Sequence, residues 1–390
     1  MAIRAQSMTD FREDVQKCMR CGFCVAQCPV EEYMGFESNT PRGRMQTIKA
    51  LIDGELQAND YIMERIYNCS LCGYCLWRCP PGVRTVDAIR AARTHLVDRK
   101  CYPQAVDMLD KFLRDNYHIY DLPKEAKTDW IDYMDLADIV KIKDRADIVY
   151  FVGCVSSLSG RAMSIAAATA QILNKLGLNW TVLGYEEQCC GAPLLLSGKT
   201  DFAKELARHN VDVIRKRRAK IVLTPCAGCY RTFTQDYPQL IDELGFEVYH
   251  TSQLLDKMLH QARDAFRNEL RVTAVYHDPC EIGRLAGLYD PPRKVLKAIP
   301  GLNIVEFAKT KELTRCCGGG GVLKAIFPET ALKLASKKLD EVRTVLASTV
   351  VSGCPSCKLN ISEAVAEREA DIEVLDISEI VARAMGFKVA

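Results

Sequence analysis

Cysteine constrains this chain more than any other residue. The 390-residue sequence holds nineteen cysteines, and sixteen of them sit in CxxCxxCxxxC, CxxC or CC units. Cysteines so spaced are satisfied either by disulfides or by metals. Disulfide frameworks belong to small exported domains. This chain is large, and its opening run MAIRAQSMTDFRED has no apolar signal-peptide core. A CC pair also rarely has the geometry for a productive disulfide. Metal ligation in a reducing, cytoplasmic compartment is therefore the expectation.

The first eight of these cysteines form two copies of one motif. Cys18-Met-Arg-Cys21-Gly-Phe-Cys24-Val-Ala-Gln-Cys28-Pro29 is CxxCxxCxxxCP, and Cys69-Ser-Leu-Cys72-Gly-Tyr-Cys75-Leu-Trp-Arg-Cys79-Pro80 repeats it. Three closely spaced thiolates wrap one cubane, and the fourth, turned away before the proline, reaches the other cluster. The expected ligand sets are Cys18, Cys21, Cys24 and Cys79 for one [4Fe–4S] cluster, and Cys69, Cys72, Cys75 and Cys28 for a second. Zinc knuckles fit less well, because they pair two CxxC units across a longer gap. Gly22 and Gly73 allow close backbone approach to the clusters. The insert between the motifs, 31–68, reads as helical. Pro41–Asp53 and Val86–Lys100 carry apolar residues at helical spacing. Such an insert points to an α-helical ferredoxin domain.

The second half is an internal duplication. DIVYFVGC ends at Cys154 and RVTAVYHDPC ends at Cys280. Cys189-Cys190-Gly191 matches Cys316-Cys317-Gly318, and Cys226-Ala-Gly-Cys229 matches Cys354-Pro-Ser-Cys357. The offset between matched cysteines stays at 126 to 128 residues. Within a copy, short β-branched runs (IVYFVG, NWTVLGY, KIVLTP, EVYH) alternate with helical segments at Ser157–Leu176, Lys199–Arg217 and Ser252–His260. Strand–helix alternation implies parallel sheets with helices outside. The expected fold is α+β and multidomain. An α-helical ferredoxin domain covers 1–105, and a surface-packed connector covers 106–145. Two Rossmann-like α/β modules cover 146–265 and 266–390. Each module supplies five cysteines, but a cubane or a zinc ion takes four. The fifth is spare, or it bridges metals in a cluster that is not a simple cubane.

Here the residues carry a resemblance. C-x34-CC-x35-CxxC and C-x35-CC-x36-CxxC resemble the CCG domains of heterodisulfide reductase. The N-terminal pair resembles the small iron–sulfur subunit of that enzyme. Both on one chain resemble the D-subunit family of heterodisulfide reductase, the fused catalytic form, over nearly the whole length. The resemblance implies that Cys154, Cys189, Cys190, Cys226 and Cys229 hold one noncubane [4Fe–4S] cluster. It implies a second at Cys280, Cys316, Cys317, Cys354 and Cys357. It further implies that the two clusters face each other and clamp the disulfide between coenzyme M and coenzyme B, in the setting of methanogenesis. Reduction would proceed by homolytic S–S cleavage, one electron per cluster, with each sulfur captured by an iron. Implied partners are other redox subunits: a flavoprotein, a donor of hydrogenase or formate dehydrogenase type, or a membrane b-type cytochrome. Through such a partner the chain would sit on the cytoplasmic face of a membrane. The iron–sulfur subunit of glycolate and lactate oxidases has the same layout and a run like Asn39-Thr-Pro-Arg-Gly-Arg44. It gives the alternative function, electron transfer from a flavin-dependent 2-hydroxyacid oxidase. In that family the first copy typically lacks ligands. Both copies are complete here, which favours a two-cluster disulfide site.

Other features bear on function more weakly. No flavin or NAD fingerprint is present, so electrons are expected from another chain. A formal net charge of +2 gives no reason to expect nucleic acid. No apolar run approaches the roughly eighteen residues of a membrane span. His277, three residues before Cys280, is a candidate proton donor to a departing thiolate or a hydrogen-bond donor to a cluster sulfur; a structural strand-end role is equally compatible. His250, matched by Asp376, reads as structural. Arg215–Arg218 reads as a solvated helix end. Arg284, Arg315 and Lys324 are candidates to hold an anionic substrate. Cys101 reads as a small buried residue. The Gly318–Gly321 run reads as an open turn at which a substrate meets the backbone.

Overall fold

A computed structural model describes residues 7–388. Its first part is helical. Thr40 is extended and its side chain accepts the Gly43 N–H, Pro41 fills the first turn, and the helix Pro41–Asp53 stops at left-handed Gly54. Asn59 caps Asp60–Tyr67 in the same way. The helix expected over Val86–Lys100 spans Thr85–Asp98. Met45, Ile48, Ile62, Ile66, Ile89 and Ala92 face one another in a shared core.

The segment after this unit is more than a surface strap. Gln104–Asn116 is a helix that buries Val106, Leu109 and Leu113. Trp130 is fully buried against Ile148, Tyr150 and Val182 of the first sheet.

Two parallel four-stranded sheets follow. The first contains β1 (Ile148–Tyr150), β2 (Trp180–Val182), β3 (Ile221–Thr224) and β4 (Glu247–His250), in the order β2-β1-β3-β4. The second contains β5 (Thr273–His277), β6 (Asn303–Val305), β7 (Thr349–Ser352) and β8 (Glu373–Asp376), in the order β6-β5-β7-β8. The orders are equivalent, as duplication requires. Central strands β1 and β7 are buried throughout, which suits sheets covered on both faces.

Helix boundaries differ from expectation in three places. Ser157–Leu176 is two helices, Cys154–Leu158 and Met163–Lys175, because Ser159 turns extended before Gly160. The helix expected from Lys199 starts at Ala203, after left-handed Gly198. The one expected over Ser252–His260 splits into Thr251–Lys257 and Leu259–Ala265.

The modules pack with pseudo-two-fold symmetry. Met163–Lys175, which follows β1, packs on Ile377–Ala384, which follows β8. Reciprocally, Asp290–Lys297, after β5, packs on Thr251–Lys257, after β4. His250 crosses this boundary: its Nε2 lies 3.2 Å from the Pro225 carbonyl and 2.9 Å from that of Gly353, while Nδ1 accepts the Ser252 N–H. Its role is structural, as expected. Among the described residues no helix is long and apolar enough to cross a membrane.

Candidate metal centres

Two pockets lie in the helical unit. One is lined by Cys18, Cys21, Cys24 and Cys79. The other is lined by Cys28, Cys69, Cys72 and Cys75, with Cys24 at its edge. The fourth cysteine of each motif thus lies with the three of the other. Local chemistry favours thiolates there. The N–H groups of Leu71 and Val83 reach Cys69 and Cys79 sulfurs at 3.4 and 3.3 Å, and the Thr85 hydroxyl reaches Cys75 at 3.0 Å. The Asn39–Arg44 run serves both pockets, with Arg42 lining the first and Arg44 the second. Arg44 is fully buried and donates to the Arg65 and Asn68 carbonyls. Burial pushes the Cys24 thiol up to about 11. Such thiols ionise when a metal displaces their protons. The first pocket meets solvent at exposed Cys21, whereas Cys28, Cys72 and Cys75 of the second are buried.

The ten module cysteines converge. Cys154 follows β1, Cys226 and Cys229 follow β3, and Cys280, Cys354 and Cys357 hold the matching places after β5 and β7. The C-terminal ends of parallel strands are where such sheets gather functional groups. The thiols follow one another as neighbours in one series: Cys154, Cys189, Cys190, Cys229 and Cys226 in the first module. The series crosses from Cys226 to Cys354 and continues through Cys357, Cys317 and Cys316 to Cys280. Cys316 also reaches Cys72 of the helical unit. Nine of the ten line one cavity of about 410 Å³, and Cys316 lies just behind it. Bonding to a neighbouring thiol, then burial, pushes Cys189, Cys229, Cys280 and Cys357 upward. So many close thiols ionise together only around compensating cations, and soft sulfur donors suit iron. The donor set therefore fits iron–sulfur clusters.

Charges around the cavity are mostly neutralised in pairs. Lys127 lies 2.7 Å from Glu187 and 3.9 Å from the Cys154 sulfur. Burial opposes its charge, but Cys154 and Glu187 outweigh burial and raise its pKa. Glu187 also accepts the N–H groups of Val152 and Gly153 at 2.8 and 2.9 Å. Glu281 pairs with Arg231, which also holds Asp236 at 3.0 Å.

Several weaker candidates are corrected. His277 lies with Cys317 and Cys357 so that the three ligating atoms fall within 4.8 Å of one another. It does not line the cavity, and burial pushes its pKa down to about 3. A neutral ring behind the cysteines has no imidazolium proton for a departing thiolate. Neither ring nitrogen has a hydrogen-bond partner in the protein. Arg284 donates to the Cys72 and Thr314 carbonyls, and Arg315 to Glu32 and Glu341; neither lines the cavity. Lys324 lines it, but is held by Asn360 at 3.0 Å and by Glu363. The glycine run is packed rather than open. A Cβ at Gly319 or Gly321 would lie 2.5 or 2.3 Å from the carbonyls of Ser356 or Ser70. Only Gly320 of that run has free space and faces the cavity. Arg215 is spent on the Leu244 and Glu243 carbonyls. Cys101 is half-buried against the helical core.

Sequence reasoning missed Lys127, Glu187 and Arg231. Only Glu187 left a trace: it precedes one CC pair, while Thr314 holds the matching place before the other.

Comparison with known proteins agrees with this geometry. A 4Fe-4S dicluster domain family matches residues 14–83, and a cysteine-rich domain family matches twice, over 148–234 and 274–362. A helical dicluster unit joined to two thiol-bearing parallel sheets defines an iron–sulfur oxidoreductase. The D-subunit of the dihydromethanophenazine:CoB–CoM heterodisulfide reductase of Methanosarcina acetivorans is 36% identical, over 96% of this chain and 95% of that protein. Its counterpart in Methanosarcina mazei is 35% identical over the same shares. The chain belongs to the D-subunit family of heterodisulfide reductase. A wider relative, the EtfAB:quinone oxidoreductase of Syntrophomonas wolfei, is 27% identical over 95% of this chain and 58% of that protein. A hypothetical protein from Helicobacter pylori shares the fold, with a TM-score of 0.60 at 10% identity over 97% of this chain and 73% of that one.

Proposed function

We propose that this chain is the catalytic subunit of a disulfide reductase. The observation that carries the proposal is the series of ten thiols, nine of them lining one cavity, with neither copy short of a cysteine. The division into units at 1–105, 146–265 and 266–390, bridged by 106–145, belongs to the same reading. Cys18, Cys21, Cys24 and Cys79 would hold one cubane [4Fe–4S] cluster, and Cys69, Cys72, Cys75 and Cys28 the other. Cys154, Cys189, Cys190, Cys226 and Cys229 would hold one noncubane cluster. Cys280, Cys316, Cys317, Cys354 and Cys357 would hold the second. Bound clusters would supply one-electron steps and soft iron sites for sulfur.

The chain's own residues order the path. Exposed Cys21 marks where electrons enter from a partner redox protein. The reach between Cys72 and Cys316 joins the helical unit to the second module first. Cys354 and Cys226 then join the second module to the first. Arg284, bonded to the Cys72 carbonyl, spans that first junction. Lys127 offsets thiolate charge beside Cys154. The heterodisulfide in the names of the Methanosarcina relatives is the first substrate to try.

The test is anaerobic. The assembled protein should carry about sixteen irons, four for each of four clusters. After reduction, adding a heterodisulfide should release two thiols per disulfide. A fully loaded protein that releases none overturns the assignment.

A further inference from the structure

The two CxxCxxCxxxCP motifs turn the same face to different surroundings. In the second motif Leu71 and Tyr74 expose only 2% and 3% of their surface. Tyr74 packs with Cys280, Cys316 and Leu313 of the second module, and a Cβ on Gly73 would meet Leu285 at 2.7 Å. That face is therefore a protein–protein contact within the chain. In the first motif Arg20 and Phe23 hold the matching places, and nothing covers them. Phe23 is 53% exposed, and Met19 beside it is also exposed. Trp77, contributed by the second motif, is 44% exposed. Arg78 joins the two rings: its guanidinium carbon lies 5.9 Å from the Phe23 centroid and 5.5 Å from that of Trp77. The charged residues lining this first cubane pocket are Arg20, Arg42 and Arg78, with no carboxylate. Arg42 is held by Glu37, whereas Arg20 and Arg78 have no ion-pair partner among the described residues. Exposed aromatic rings and a methionine set among unpaired arginines have the composition of an interface centre.

We infer that the open face of the first motif docks an electron-carrying protein whose contact surface sets carboxylates around an apolar centre. The apolar centre meets Met19, Phe23 and Trp77, and the carboxylates meet Arg20 and Arg78. Opposite charge brings the partner in and orients it over the pocket, beside exposed Cys21. The inference rests on the reading that Cys18, Cys21, Cys24 and Cys79 hold a cluster, and it names the kind of partner that this cluster meets. One electron passes from the reduced partner to the cluster in each encounter, with no bond made or broken and no proton moved.

The probe is a small acidic two-cluster ferredoxin, mixed reduced and anaerobically with the oxidised, cluster-loaded protein in a stopped-flow cell. Reduced methyl viologen is the control for clusters that can accept electrons. The second-order rate constant with ferredoxin should fall at least about fivefold between 50 mM and 500 mM salt. At low salt the double variant Arg20→Gln, Arg78→Gln should be reduced by ferredoxin at least about fivefold more slowly, and viologen should reduce it no more slowly than the parent. Arg78→Lys keeps the charge and should stay near the parent rate. A salt-independent rate, or a double variant that matches the parent, overturns the inference. Flotation of the parent but not the double variant on phosphatidylglycerol vesicles, with a salt-independent ferredoxin rate, would assign the face to lipid and overturn it likewise. If viologen reduces nothing in the parent, the cluster reading fails and docking is read by binding to immobilised ferredoxin. Binding at least about fivefold weaker in the double variant then upholds the docking face, and equal binding overturns it.

Discussion

Lys127 and Glu187 each expose only 2% of their side chains, so their pairing at 2.7 Å is shielded from solvent. A buried pair is weak evidence of net stability, but breaking one is costly because the remaining charge stays desolvated. Glu187 has further duties, since it fixes the N–H groups of Val152 and Gly153 just ahead of Cys154. Lys127→Met should therefore destabilise the cluster-loaded protein by about 3–5 kcal/mol in urea unfolding. Adding Glu187→Gln should recover part of that loss, giving a non-additive cycle. A Lys127→Met loss below about 1 kcal/mol would show that the pair does not hold this loop. Residues of this kind are not legible in the sequence. The cysteines announce themselves because ligand spacing is a property of a few consecutive residues. Lys127 lies in a charge-rich stretch like many others, and only the fold brings it to a partner sixty residues away. Conversely, His277 stands out by its closeness to Cys280 in sequence, yet the strand carries its ring behind the cavity.

Asp376 and His250 hold equivalent places at the ends of the last strand in each module, and each caps the helix that follows. Their environments give opposite responses to pH. Burial pushes the Asp376 carboxyl up to about 7. An unfolded aspartate titrates near 3.9. Because the folded value is the higher, its contribution is complete below about pH 4 and is lost as pH rises through about 7. Burial instead pushes His250 down to about 4, so its contribution is present above about 6.5 and lost as pH falls through about 4. Asp376→Asn keeps an acceptor for the Ser378 N–H and removes the charge. Relative to the parent protein it should gain stability steadily from pH 5 to about pH 7 and level off above, read from thermal melts. A constant difference across that range would show that Asp376 does not titrate there. At this scale the sequence is a good guide to strand positions and a poorer one to helix limits. The four runs of the first module overlap β1–β4, but pairing trims IVYFVG to Ile148–Tyr150, because β2 offers only three partners. The division of Ser157–Leu176 is hidden in the sequence because the break depends on one extended residue, Ser159.

Arg93 joins the three parts of the molecule. It lies in the helix Thr85–Asp98 and is fully buried. Burial lowers its pKa to about 10, which still leaves it charged at neutral pH. Its guanidinium donates to the Cys69 carbonyl at 2.7 Å beside the second cubane pocket. It also donates to the Leu196 carbonyl of the first module at 2.7 Å and to that of Gly321 of the second at 2.9 Å. The packing around it is equally close. The Tyr67 hydroxyl donates to the Ser197 carbonyl at 2.7 Å, and a Cβ on Gly198 would meet the Arg93 carbonyl carbon at 2.6 Å. A planar five-donor group suits this junction; a lysine has three donors and no fork. Arg93→Met would leave several buried carbonyls without donors, at about 1–3 kcal/mol each. Because those carbonyls belong to different units, the loss should fall on the contacts between units. Calorimetry of the cluster-loaded parent should show one transition. Arg93→Met should split it or lower its onset, and Arg93→Lys should fall between. The same separation should slow reduction of the module clusters from the helical unit, since the reach from Cys72 to Cys316 depends on this docking. An Arg93→Met protein with one unshifted transition and unchanged internal reduction would mean that the three units are held together by other contacts.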